Sequence, residues 1–279
     1  MNTFPWNIFF VLVIGAVIGT LAVLPYSLAI NPIDLSKPQT DDGKKAKKMP
    51  TLPVIILASL IQGSVLMAIA AFVGLLAIGK TGLDLPIIRA AVNGQPFLQD
   101  LVGKLPLVIV LGLIVGFVIL VLEKFAFQPR LPKPLLASES NVPLWKRAAA
   151  CFYGGINEEI LIRLFVMGGL YFLIGLVWKT PDGLPAVGAF WLANILSAIL
   201  FGLGHLPATK RITPLTKLVI GRAVILNGIP GLVFGYLFLQ YGLETAMLTH
   251  FFLDVVIHMI SPRFLAQAAR PAETLLAAD

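Results

Sequence analysis

Charge is what this sequence has least of. Only 13% of its 279 residues are charged, against 58% hydrophobic, and the mean hydropathy is +0.90. A soluble domain of this length carries roughly 25% charged residues, so a water-soluble fold is excluded. Cysteine is nearly absent too. Cys151 stands alone, which rules out an intramolecular disulfide and a cysteine metal cluster. No G-x-S-x-G is present, so a serine nucleophile elbow has no support, and without H-E-x-x-H the common zinc-protease helix is missing. Nucleic-acid motifs are lacking, and the formal charge of +7 reads as loop Lys and Arg that set membrane orientation. No internal repeat is evident, which argues against an inverted-repeat transporter. No Lys or Arg precedes the first apolar run, so residues 7–30 read as a permanent span rather than a cleaved leader.

What is there is long apolar runs. Several exceed the ~18 residues that cross a hydrocarbon core, and they are continuous rather than alternating, which excludes a β-barrel. The expected fold is all-α, a polytopic transmembrane bundle of about seven spans at 7–30, 53–79, 105–122, 147–178, 185–206, 218–240 and 243–260. Segment 84–103 is mixed and interrupted and is expected along the membrane interface. Three regions follow: 1–146 with three spans and basic loops, a core at 147–260, and a tail at 261–279. Of the 21 Lys and Arg, alternate loops place sixteen on one side and four on the other, with Arg163 inside a span. The positive-inside rule then puts the N-terminus outside and the C-terminus in the cytoplasm. Short loops and compact size suit a prokaryotic plasma (inner) membrane.

Against that background, "NEEILIRLF" at 157–165 is anomalous, because a charge at mid-bilayer costs several kcal/mol unless compensated. Glu159 and Arg163 are spaced i, i+4, with the glutamate N-terminal, the favourable order for a pair on one helix face. Glu158 then points about 100° away in an ideal α-helix, free to face the bundle interior. The fifth span ends in "FGLGHLP" with His205, and the seventh carries "HFFLD", where His250 and Asp254 are again i, i+4. With the orientation above, three helices bring ionisable groups to the cytoplasmic half of the bilayer. A carboxylate beside two imidazoles suits water activation: the carboxylate takes a proton from water, the water attacks a carbonyl, and nearby donors hold the oxyanion.

These residues resemble a known family. "EEILIR" matches E-E-x-x-x-R, "FGLGH" matches F-x-x-x-H, and "HFFLD" matches H-x-x-x-N/D, in the order of the CAAX-protease and bacteriocin-processing (CPBP, or Abi) family of intramembrane endopeptidases, which includes the Ras-converting type of CAAX prenyl endopeptidase. "GLVFGYLFLQYGLETAMLTH" resembles that family's glycine-rich sixth helix, and the likeness spans about 147–260. The resemblance implies a hydrolase with Glu158 as general base, His205 assisting, His250 and Asp254 at the oxyanion, and Glu159 and Arg163 as supporting or substrate-orienting groups. It implies a membrane-embedded or lipidated peptide substrate; no cofactor is favoured, with Zn possible. The prenyl endopeptidases typically have Asn where this chain has Asp254, and an ionised aspartate cannot donate to an oxyanion. Asp254 is therefore protonated, or orients His250, or helps bind a metal.

Three rivals stay open. Zn²⁺ held by His205, His250 and a carboxylate (Glu158 or Asp254) would keep the reaction and change its mechanism. A non-proteolytic membrane scaffold or immunity protein would use the same fold for binding. A proton-coupled transporter would use the same residues as a relay. Other polar or small residues have plainer readings: His258 interfacial, Cys151 packing, Gly231 and Gly235 a helix-packing pair, Glu244 solvated at the outer end of the last span, and Lys44–Lys48 topogenic.

Overall fold

The computed structural model describes residues 4–30, 51–137 and 142–261. The basic loop at 31–50 and the tail beyond Ser261 lie outside the described residues, as do the charges they contribute to the orientation. In lipid every backbone N–H and C=O must be satisfied within the segment, which leaves helices as the form that long apolar runs can take. The helices are α1 (Trp6–Ile30), α2 (Leu52–Ile78), α3 (Pro86–Val92), α4 (Leu98–Leu122), α5 (Lys133–Ala137), α6 (Leu144–Tyr153), α7 (Gly168–Gly175), α8 (Val187–Gly204), α9 (Leu206–Lys210), α10 (Lys217–Tyr241) and α11 (Leu243–Asp254). Three stretches wind more widely, as π-helix: Glu123–Phe127 after α4, Gly154–Met167 between α6 and α7, and Val255–Ile260 after α11.

Among the described residues, six helices are long and apolar enough to cross a membrane: those at Trp6–Ile30, Leu52–Ile78, Leu98–Arg130, Val187–Lys210, Lys217–Tyr241 and Leu243–Ile260. The expected fourth span is the unbroken run from α6 through the π segment to α7, and it carries the anomalous charges. The third helix begins at Leu98 rather than at 105, so the segment expected at the interface shrinks to the short helix α3 and the turns that flank it. Asp100 and Lys104 dilute the hydropathy of that first turn without interrupting its helical hydrogen bonding.

Large side chains such as Phe10, Ile14 and Ile18 of α1 and Leu57 and Ile61 of α2 are exposed on the outside of the bundle, where lipid replaces water as the solvent. Between helices, small residues set the spacing. A Cβ on Gly112 or Gly116 of α4 would come within 2.6–2.7 Å of Phe252 and Val256, so these glycines let α4 lie directly on α11 and the turn beyond it. Gly202 does the same for α8 against Ala223 and Val224 of α10. Gly231 and Gly235, read as a packing pair, meet Ala198 and Asn194 of α8. One residue, Gly242, joins α10 to α11 at a φ of +95°, a conformation open to glycine at little cost. So tight a turn makes α11 run back along α10.

Glu244 departs from its expected place. It is buried, and its Oε1 accepts the Ile88 N–H at 2.7 Å, capping the start of α3. The first turn of α3 has orphan N–H groups inside the protein, and this carboxylate satisfies one of them.

Candidate active site

The site grows from the π segment. Its wide turns start at Gly154, directly beneath α11: a Cβ at Gly154 would land on the Asp254 carboxylate and lie 3.2 Å from His250 Nε2. At Gly155 it would press on the Met247 carbonyl at 2.9 Å. These two glycines let the segment bearing Glu158 and Glu159 approach the helix bearing His250 and Asp254. A π stretch is uncommon and often marks a functional site, because it shifts the phase of side chains relative to the α-helices on either side.

All the residues singled out in the sequence come together. Glu158 stands between two imidazoles from different helices. Its Oε1 is 3.9 Å from His205 Nε2, and its Oε2 is 3.7 Å from His250 Nε2. The same His250 Nε2 is 3.6 Å from Asp254 Oδ1. These separations exceed direct hydrogen bonds, and a water touching two of these atoms at ~2.8 Å would sit beside the line that joins them. Glu158 and His205 are partly open, with side chains 23% and 39% exposed, whereas His250 is 5% exposed.

Each imidazole is held by its other nitrogen. His205 closes α8, and its Nδ1 donates to the Phe201 carbonyl at 2.9 Å. It thus both caps the helix and turns Nε2 toward Glu158. His250 Nδ1 donates to Glu159 Oε1 at 2.8 Å, which turns its Nε2 toward Glu158 and Asp254. A carboxylate on one ring nitrogen sets the tautomer and orientation that the other nitrogen presents.

Glu159 therefore has two partners rather than the one anticipated. Its Oε2 lies 3.3 Å from Arg163 Nε in an ion pair with both side chains fully buried. This contact is charge neutralisation more than an aligned hydrogen bond. The guanidinium is packed between the rings of Phe201 and Phe234, at 5.0 and 5.6 Å from their centroids. Phe234 also stacks on His250, with centroids 4.6 Å apart and planes at 24°. Phe201 is the first residue of the F-x-x-x-H pattern, but Phe234 was not singled out. Its one sequence signal is its place three residues after Gly231, on the face of α10 that meets Arg163.

Two other residues lie away from this cluster. Cys151 is buried, with its thiol on the Arg147 carbonyl, and the His258 ring packs on Tyr26 at the end of the last helix. Among the described residues, no group of three or more His, Cys, Asp or Glu side chains is arranged to hold a metal ion.

Apolar helices enclosing a cluster of carboxylates, imidazoles and one arginine define the class: a polytopic helical membrane protein with a polar centre inside its bundle. Residues 140–256 match the family model described as Rce1-like, type II CAAX prenyl endopeptidase, a match that supports assignment to the CAAX-protease and bacteriocin-processing family of intramembrane proteases. The match takes in Glu158, Glu159, Arg163, His205, His250 and Asp254. No curated protein matches the chain, and no solved structure does.

Proposed function

We propose that this chain is an intramembrane endopeptidase that hydrolyses membrane-associated peptides with a water activated by Glu158. The observation that carries this reading is the bracketing of the partly open Glu158 carboxylate by His205 Nε2 and His250 Nε2, from two other helices, at 3.9 and 3.7 Å. In the proposed step, water sits beside Glu158 and His205, within hydrogen-bond reach of both. Glu158 takes one of its protons as the oxygen attacks the peptide carbonyl. His250, as imidazolium, donates from Nε2 to the oxyanion, while Glu159 accepts from Nδ1 and Arg163 offsets the charge of Glu159. Glu158 then returns the proton to the departing amine as the C–N bond breaks. Asp254, 3.6 Å from the same Nε2, stabilises the imidazolium by its charge without taking the N–H that the oxyanion uses. The substrate is a prenylated or otherwise lipidated peptide, or a transmembrane segment, reaching the site from the bilayer of a prokaryotic plasma membrane, with the C-terminus of the enzyme in the cytoplasm.

The test is cleavage of a panel of prenylated and transmembrane peptides by purified protein in liposomes. Wild type is expected to cleave at least one. Glu158→Gln is expected to lose about 10²-fold or more in kcat, the scale of general-base catalysis. Activity is expected to persist with a chelator; activity lost to chelator and restored by zinc would replace the glutamate-water mechanism with a metal one. A wild type that cleaves nothing, in a cell where Glu158→Gln keeps the full biological effect, would favour the scaffold reading.

A further inference from the structure

Among the described residues the Glu158 carboxylate makes no direct hydrogen bond, only the longer contacts to His205 and His250, whereas both of its chain neighbours are tied down. On one side Glu159 is tied to His250 and Arg163. On the other, Asn157 is 1% exposed and reaches in the opposite direction, to α1. Its Nδ2 donates to the Ala16 carbonyl at 2.8 Å and to Thr20 Oγ1 at 2.9 Å. Thr20 in turn donates to the same Ala16 carbonyl at 2.8 Å, so its lone pair is free to receive the amide. The seat is shaped for this side chain. A Cβ on Gly19 would fall on Asn157 Oδ1, and Gly15 faces Ile156. Asn157 Oδ1 itself is buried with no hydrogen-bond partner, so the amide is held through its donor side alone.

Helix α1 lies wholly outside the matched residues 140–256. Through Ala16 and Thr20 it nonetheless makes a polar contact to the residue immediately before Glu158. A π segment departs from the 3.6-residue phase of α6 and α7, so local propensity does little to fix which way each of its side chains faces. External anchors must do so. Resting on the reading of Glu158 as base, we propose that Asn157 is a positioning residue. Clamped to Ala16 and Thr20 of α1, it sets the rotation of the π segment so that Glu158 faces His205 and His250, which makes α1 a working part of the catalytic unit. The clamp acts through the backbone and touches no substrate.

The experiment uses full-length protein in liposomes and the fluorogenic prenylated and transmembrane peptides described above, with kcat, KM and unfolding midpoint measured on each preparation. Asn157→Ala is expected to lower kcat about 10–100-fold, the effect of displacing a reacting group by up to an ångström, with KM within about twofold of wild type. Thr20→Val removes the hydroxyl at nearly constant volume and is expected to lower kcat by a smaller factor, while Thr20→Ser keeps the hydroxyl and restores wild-type turnover. Wild-type kcat in both Asn157→Ala and Thr20→Val, beside an inactive Glu158→Gln, overturns the clamp and leaves the base assignment standing. Loss of kcat merely in proportion to loss of folded protein, or a Thr20→Ser as slow as Thr20→Val, also overturns it. A fully active Glu158→Gln instead overturns the base assignment, and the clamp with it.

Discussion

Replacing Arg163 with Met tests how the centre is held together. The structure places Arg163 and Glu159 at 3.3 Å with neither side chain exposed, and the guanidinium lies between two phenylalanine rings. Met fills much of the same volume between those rings, so the substitution removes chiefly the charge. Glu159 would keep the His250 N–H at 2.8 Å and lose its cation. Breaking a buried pair by removing one partner costs about 3–5 kcal/mol, since the other charge stays desolvated. Removing both charges costs far less, so Glu159→Gln combined with Arg163→Met should regain much of the loss, with a coupling energy of about 2–3 kcal/mol. The assay is reversible unfolding from mixed micelles by added dodecyl sulfate, followed by far-UV circular dichroism, for wild type, both single variants and the double variant. Coupling below ~0.5 kcal/mol, the scatter expected for independent sites, would refute the pair as a structural element.

Other substitutions probe the close approaches around it. Gly154→Ala would drive a methyl into the Asp254 carboxylate, and overpacking of this kind costs about 1–3 kcal/mol; cleavage should fall with it, read by kcat and unfolding midpoint. Phe234→Ala strips the ring from both His250 and Arg163 and is expected to cost about 3–5 kcal/mol in the same unfolding assay. Glu244→Ala removes the cap of α3 at a cost of about 1 kcal/mol, with faster amide hydrogen exchange at Ile88 as the local signature.

The charged core was legible in the sequence because the membrane makes polarity expensive. A glutamate in a soluble helix carries little information, but Glu158, Glu159 and Arg163 within an apolar run each demand a compensating partner. His205 and His250 could be read as those partners because each sits beside a helix-breaking or charged neighbour in an otherwise apolar span. Their mutual arrangement was less accessible. The i, i+4 spacing of Glu159 and Arg163 correctly joined them, yet the contact of Glu159 with His250 crosses between helices separated by 91 residues. It depends on the phase of the π segment, and no residue in "GGINEEILIRLFVM" announces that the helix opens there, since π and α turns accept the same side chains. Phe234 was hidden for a different reason: in a span made of apolar residues, an aromatic ring that clasps a cation looks like one that faces lipid. Glu244 was misread as solvated because it lies at the end of a span, where charge is cheap. The short helix α3 supplies a buried N–H that offsets part of the cost of burying the carboxylate. In each case the residue's chemistry was visible and its partner was not, because partner choice in a bundle is set by rotation between helices. Asn157 follows the same rule. Nothing in the sequence marks it beside two glutamates, and the close approach of Ala16 and Gly19 makes its amide a contact that ties the first helix to the one bearing Glu158.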